Sequence, residues 1–276
     1  MAKENFVLLS GQVYQEPTII SAVDGTPLKA YLIIKTVRRH ILRENIAEVS
    51  NSRTFDFVPV ASFNAECINI MRNIRANDMI ELRGVYTTKC NIKKCYCSEC
   101  GEEIVSPGAV TFITPIFIRI TERAKCSETP NGFQLIDSLS ILRKQAEISN
   151  CVKIIGYLCR EPEMITTDKY VITQYQIASN RKFLIKEDDP DERTDYPWVK
   201  SYGAQAQMDI YSLHTGSMVF VDGCVQARRF SVTRMCSKGH ANISEDLACE
   251  IVPYSVEYLS DCVLPEPKNR DPGVSQ

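Results

Sequence analysis

The sequence predicts a mainly β protein: two tandem copies of one small five-stranded Greek-key barrel, each with one short helix. A long-period internal repeat, a succession of short β-rich runs and one helical stretch at the same place in each copy carry that reading. The segment from Asn5-Phe6-Val7 through Gly11-Gln12-Val13-Tyr14-Gln15-Glu16-Pro17 recurs as Asn150-Cys151-Val152 through Gly156-Tyr157-Leu158-Cys159-Arg160-Glu161-Pro162. Met79-Ile80-Glu81-Leu82-Arg83-Gly84-Val85 recurs as Met218-Val219-Phe220-Val221-Asp222-Gly223-Cys224. A period of about 140 residues denotes a duplicated domain, not a solenoid of short repeats.

In the first copy, Phe6–Gln15 and Leu28–Val37 are β-rich runs flanking the turn Asp24-Gly25-Thr26-Pro27. Phe55–Phe63 is a third run, in which Pro59 suggests an edge or a bulge. Cys67, Ile70, Met71 and Ile74 then recur at helical spacing, and Met79–Thr88 and Val110–Ile120 complete five strands. The second copy follows with Cys151–Arg160, Val171–Phe183, Tyr196–Tyr202, a helix near Ala204–Leu213, Met218–Phe230 and Glu250–Leu259. Five strands with a helix between the third and fourth is the order of an OB-fold. The expected domains are residues 1–126, a linker at 127–149, residues 150–262, and a disordered, proline-rich tail at 263–276. In the linker, Leu135, Ile136, Leu139 and Leu142 place an amphipathic helix over Phe133–Ile148.

Composition narrows the function classes. At 276 residues, 44% hydrophobic and 24% charged, the chain has the make-up of a soluble protein with two cores. It has no apolar run near the ~20 residues of a membrane helix, and Met1-Ala2-Lys3-Glu4 opens no signal peptide, so a cytoplasmic protein without membrane partners is expected. Net charge is −2, which gives no global attraction for polyanions. Yet base is concentrated at Lys35–Arg43 and Arg83–Lys94, and again at Arg181–Lys186 and Arg228–Lys238, at matching places in both copies. The acidic run at 187–192 reads as a solvated loop. With three histidines (His40, His214, His240) and no glycine-rich phosphate loop, nucleophile elbow or metal-hydrolase motif, the sequence points away from an enzyme.

Four of the twelve cysteines, Cys90, Cys95, Cys97 and Cys100, lie between the fourth and fifth strands of the first copy. Four thiolates in so short a span can surround one tetrahedral zinc ion, and Cys97-Ser-Glu-Cys100-Gly is a zinc-knuckle half; a redox site or plain reduced thiols are the alternatives. Cys95 and Cys97 are too close in sequence for both to ligate with ease, so Cys97 and Cys100 are the firm pair. A closed four-cysteine shell leaves no position for water, so the zinc would be structural. The second copy offers Cys236, His240 and Cys249 there, three ligands without a fourth, which predicts a degenerate site or none. Cys67, Cys126, Cys151, Cys159, Cys224 and Cys262 read as small core residues.

In the second copy, the stretch Asn150–Pro162 resembles the opening strand of the bacterial single-stranded DNA-binding proteins. The resemblance continues through Tyr175-Gln-Ile-Ala-Ser-Asn180-Arg-Lys-Phe183, Ser201-Tyr202-Gly203 and Gly216–Phe230. The first copy is similar more weakly, through residues 5–17, 31–39, 57–63 and 79–89. A tandem pair is similar to divergent members carried by bacterial phages or mobile elements. The resemblance implies coating of single-stranded DNA in replication, recombination or element transfer, without sequence preference, with replication or recombination proteins as possible partners. It also implies homo-oligomers: single-barrel members use four chains, so a dimer is favoured here.

Carried over by position, the resemblance implies stacking by Phe183, Tyr196, Tyr202 and Phe230, with Trp198 nearby, flanked by Arg181, Lys182, Arg228 and Arg229. In the first copy Phe57 and Phe63 stand at matching places, and Arg38, Arg39 and Lys89 keep the charge. His40 and Asn91 replace Phe183 and Phe230, leaving Tyr31 or Tyr86 as substitutes. An OB-fold scaffold protein and an RNA-binding or annealing factor remain the alternative classes.

Overall fold

The structure, a computed structural model, describes residues 3–38, 55–129, 132–135, 146–167, 171–182 and 193–263. The first barrel is built from β1 (Asn5–Val13), β2 (Thr18–Ser21), β3 (Pro27–Val37), β4 (Phe55–Ser62), α1 (Ala65–Met71), β5 (Met79–Tyr96) and β6 (Glu103–Glu122). After a two-stranded hairpin, β7 (Cys126–Thr129) with β8 (Gly132–Leu135), and the short α2 (Ala146–Ser149), the same order recurs. The second barrel comprises β9 (Asn150–Leu158), β10 (Glu163–Thr166), β11 (Val171–Asn180), β12 (Thr194–Asp195), β13 (Trp198–Tyr202), α3 (Gly203–Ser212), β14 (Met218–Met235) and β15 (Ala241–Ser260). The duplicated OB-fold expected from the sequence is therefore present. The linker differs: Phe133–Leu135 belongs to a strand, since Phe133 pairs with Glu128 across β7–β8. Residues 136–145 of the expected helix, and the tail from residue 264, lie outside the described residues.

Each barrel closes in the same way. In the first, β5 pairs with β1 and β6, β6 meets β4 in parallel at Val60↔Ile113, and β3 returns to β1 at Val13↔Ile34. In the second, β13 meets β15 in parallel at Val199↔Ile251, and β11 returns to β9 at Ile177↔Leu158. Alternation fills the interior, with Val7 and Leu9 of β1 and Val152 and Ile154 of β9 buried. α1 is capped by Asn64, whose side chain accepts from the N–H groups of Glu66 and Cys67. It buries Cys67, Ile68 and Met71, while Ile70, expected in that stripe, faces outward.

Two recurrent glycines have a steric cause. The β5–β6 and β14–β15 ladders each slip register at a glycine, between Arg83 and Gly84 and between Asp222 and Gly223. A Cβ on Gly223 would lie 2.3 Å from the Val252 carbonyl oxygen, and one on Gly84 2.3 Å from that of Thr114. Gly223→Ala is expected to destabilise the protein by about 1–3 kcal/mol, as overpacking does; an unchanged urea midpoint would show that the bulge tolerates a side chain.

The barrels are joined back to back by antiparallel pairing of β1 with β9, from Asn5↔Ile154 to Leu9↔Asn150, so one sheet runs through both. The repeated asparagines explain themselves here. Asn5 donates to the Tyr86 carbonyl (2.9 Å) and accepts from the Tyr86 N–H (2.8 Å); Asn150 does the same with Val225 (2.8 and 2.9 Å). Each amide thereby satisfies two backbone groups that burial would otherwise orphan. β5–β6 and β14–β15 continue beyond the barrels as two long arms, with tips at residues 97–102 and 236–240.

Candidate nucleic-acid interface and metal centre

Strand alternation that buries every second residue of β13 turns Trp198 outward, where the Arg160 guanidinium lies 5.0 Å from its ring centre. Tyr196 precedes that strand and is about half exposed at 48%. Phe230 stands on the second arm, exposed, with the Arg228 guanidinium 5.6 Å from its ring. Trp198, Arg228 and Phe230 line an open groove of about 450 Å³ together with Lys93 of the first arm. Arg228 is held by both oxygens of Glu250 (3.1 and 2.8 Å), and the strongly exposed Arg229 meets Glu245 at 3.4 Å.

The first barrel presents a matching face. Phe57 is exposed and meets Tyr14 edge-on, with ring centres 5.0 Å apart. Phe63 is half-buried, with the ammonium groups of Lys89 and Lys29 4.6 and 5.6 Å from its ring. Tyr31 is exposed and lines a groove of about 370 Å³ with Ala61 and Phe112. Of the two tyrosines that could replace the missing aromatics, Tyr31 thus lies outward. Tyr86 is core, its hydroxyl donating to the Cys249 carbonyl of the other barrel at 2.6 Å.

Two arginines expected at this surface serve elsewhere. Arg181 is buried, and its guanidinium grips Asp195 through two hydrogen bonds of 2.6 and 2.9 Å. Asp195 in turn accepts from Asn5 Nδ2 (3.1 Å) and the Thr88 N–H (2.8 Å) of the first barrel. Arg38 makes the equivalent pair with Asp56, at 2.9 and 2.5 Å. Both arginines are corrected to structural ion pairs at the seam, because a charge taken out of water needs a partner. Lys182 is exposed and pairs with Glu4. Tyr202 is half-buried, and burial together with the Glu250 carboxylate pushes its phenol above the usual range. Arg39 and Phe183 lie outside the described residues.

At the arm tips the four-cysteine grouping is redistributed. Cys97 and Cys100 remain together, but the ligand atoms beside theirs come from Cys236 and His240, not from Cys90 and Cys95. All four atoms lie within 4.8 Å of one another, with Cys97 Sγ 3.7 Å from His240 Nδ1 and Cys100 Sγ 3.9 Å from Cys236 Sγ. A tetrahedral zinc with ligands at about 2.0–2.3 Å spaces them about 3.5–3.8 Å apart, so the group could hold a metal ion. Each tip turns on a left-handed glycine, Gly101 (φ +71°) or Gly239 (φ +83°). The nearby Asn242 amide, then the Cys100 backbone, hold the Cys97 thiol down to about 6, favouring the thiolate that metals bind. Cys90 is exposed on the first arm, and Cys95 packs beside the cluster without joining it.

With this geometry in view, comparison with known proteins bears on the second barrel. Residues 149–243 match the sequence model of the Single-strand binding protein family. The matched segment runs from the start of the second barrel's β9 to the first residues of β15. That match supports binding of single-stranded DNA. Among solved structures the chain is similar to the single-stranded DNA binding protein of Thermus aquaticus. The wild-type protein aligns at 14% identity and a TM-score of 0.57 over 98% of this chain and 100% of that one. A deletion mutant of it aligns at 14% identity and 0.57 over 97% and 100%. At that identity the likeness shows the fold. No curated protein matches the chain.

The family segment contains Trp198, Arg228 and Phe230, and also Cys236 and His240. The sequence reading missed four contributors: Arg160, although the repeated motif contains it, and Tyr14, Lys29 and Lys93. The signal that could have found Arg160 is its place at the strand end, before Glu161-Pro162. The part played by Lys93 was not legible, since it depends on where the first arm crosses the second barrel.

Proposed function

We propose that the protein coats single-stranded DNA without sequence preference, using both barrels, in replication, recombination or mobile-element transfer. The observation that carries this is the pairing of outward rings with cations on both halves: Trp198 with Arg160, Phe230 with Arg228, Phe63 with Lys89 and Lys29. Unpaired bases expose a π-face of any identity, and stacking on such rings contributes about 1–3 kcal/mol per base. The adjacent cations neutralise phosphates and release counterions, which supplies affinity without reading sequence. Local placement thus substitutes for the field that a net charge of −2 does not provide. Glu250 and Glu245 must surrender Arg228 and Arg229 to the incoming phosphates, an exchange favoured by low salt. The role is binding, with no reaction assigned, and two chains together would present four barrels. A structural zinc ion is the proposed cofactor, held by Cys97, Cys100, Cys236 and His240, a soft, closed donor set.

The test is a salt titration of binding to matched single-stranded DNA, duplex DNA and RNA. Single-stranded DNA is expected to bind tightest, with log K falling linearly in log salt at a slope of about −0.7 per phosphate neutralised. Equal or stronger RNA binding would instead mark an RNA annealing factor, and no affinity for any of the three would mark a scaffold. Among the described residues, no helix is long and apolar enough to cross a membrane.

A further inference from the structure

We propose that the cluster at the arm tips is a metal clasp between the two halves of the chain, and that its loading sets affinity for single-stranded DNA by fixing two cross-built grooves. This rests on the binding role proposed above.

The ligands are shared evenly: Cys97 and Cys100 come from the first barrel's arm, Cys236 and His240 from the second's. Behind them the arms face each other across a mostly polar layer. Lys93 Nζ meets Asp246 at 2.6 Å, Arg234 Nε donates to Ser106 Oγ at 3.0 Å, and the Ser98 N–H donates to Asn242 Oδ1 at 3.0 Å. Ser237 Oγ donates to Glu102 at 2.8 Å. For ion pairs as shielded as Lys93–Asp246, 24% and 17% exposed, the cost of desolvation offsets much of the attraction, so this layer contributes little net stability. The apolar cluster here holds only Cys97, Ile104 and Cys236 as buried members, with Cys95 and Cys100 packed beside them. Three of those five residues are the clustered cysteines themselves. An arm pair with so small a core needs a cross-link, and a metal bound only by the closed form contributes its binding free energy to closure.

Closure matters because each groove borrows a wall from the other half. Lys93, Gly108 and Ala109 of the first arm line the groove of Trp198 and Phe230. Thr88 and Lys89 of the first arm flank Tyr196. In return, Asp246 and Leu247 of the second arm line the groove of Tyr31 and Phe112 in the first barrel. If the tips part, both grooves lose a wall together, and the barrels no longer present their surfaces at a fixed separation. Joint engagement of two linked surfaces depends on that separation through effective concentration.

The experiment uses the full chain, with zinc content, limited trypsin cleavage at the exposed arm lysines Lys94 and Lys238, and anisotropy of a labelled oligo(dT) at fixed salt. The loaded protein is expected to carry one zinc ion per chain. Cys236→Ser, in the half that the sequence leaves without a complete site, should lose the zinc, hasten cleavage and weaken oligo(dT) binding at least about tenfold. Chelation of the wild type should do the same, reversed by added zinc. Cys95→Ser, beside the cluster but outside it, should keep its zinc. Zinc retained by Cys236→Ser, or lost by Cys95→Ser, would overturn the ligand set. Equal affinity of loaded and stripped protein would overturn the coupling while leaving the binding role intact; failure of the loaded protein to bind oligo(dT) would sink the binding role itself. Loss of the cooperative thermal transition on stripping would also overturn the proposal, because the metal would then hold the barrels and not merely the arms.

Discussion

Asp195→Ala is expected to destabilise the protein by about 3–5 kcal/mol, the cost of stranding a buried charge. The carboxylate is 0% exposed and Arg181 4%, so neither ion can turn to solvent when its partner is removed. The substitution also strips an acceptor from Asn5 Nδ2 and from the Thr88 N–H, both contributed by the other barrel. The loss therefore falls on the seam that holds the two copies together, and a fall in the urea midpoint at unchanged m-value measures it. A cost below about 1 kcal/mol would show the pair to be expendable, as exposed pairs are. The exposed Arg229–Glu245 pair supplies the contrast: Glu245→Gln should move the midpoint by no more than about 1 kcal/mol.

The second large effect is on binding. Trp198→Ala and Phe230→Ala are each expected to weaken oligo(dT) binding by about 1–3 kcal/mol, roughly five- to 150-fold, with little change in stability. Both rings are solvent-facing and line one groove, so their removal opens no core cavity. The double variant should lose less or more than the sum, since rings sharing a groove can hold neighbouring bases. Full-strength binding by both single variants would move the interface away from this face. Arg229→Ala, at an exposed rim position, is expected chiefly to lessen the salt slope.

These expectations divide according to what a linear pattern can record. The order of strands and the helix between the third and fourth were legible because each leaves a local signature, period two or period 3.6. Phe230 was legible as an outward ring because Arg228 and Arg229 precede it, whereas for Tyr196 a core position fits the sequence equally well. Arg181 and Arg38 misled because a basic residue beside aromatic positions looks alike in sequence whether it faces phosphate or a buried aspartate. Asp195 lies 14 residues from Arg181, and Asp56 lies 18 from Arg38.

The sequence by itself determined two barrels, the aromatic residues proposed for their faces and one pair of the clustered cysteines. Only the tertiary structure decided that the other pair, Cys236 and His240, lies on the other arm, with Cys100 and Cys236 brought together across 136 residues. The reason is physical. Backbone periodicity and turn chemistry act between near neighbours and are written residue by residue. The partner of each arm is chosen by how β1 docks on β9, a single global event that aligns every long-range contact at once.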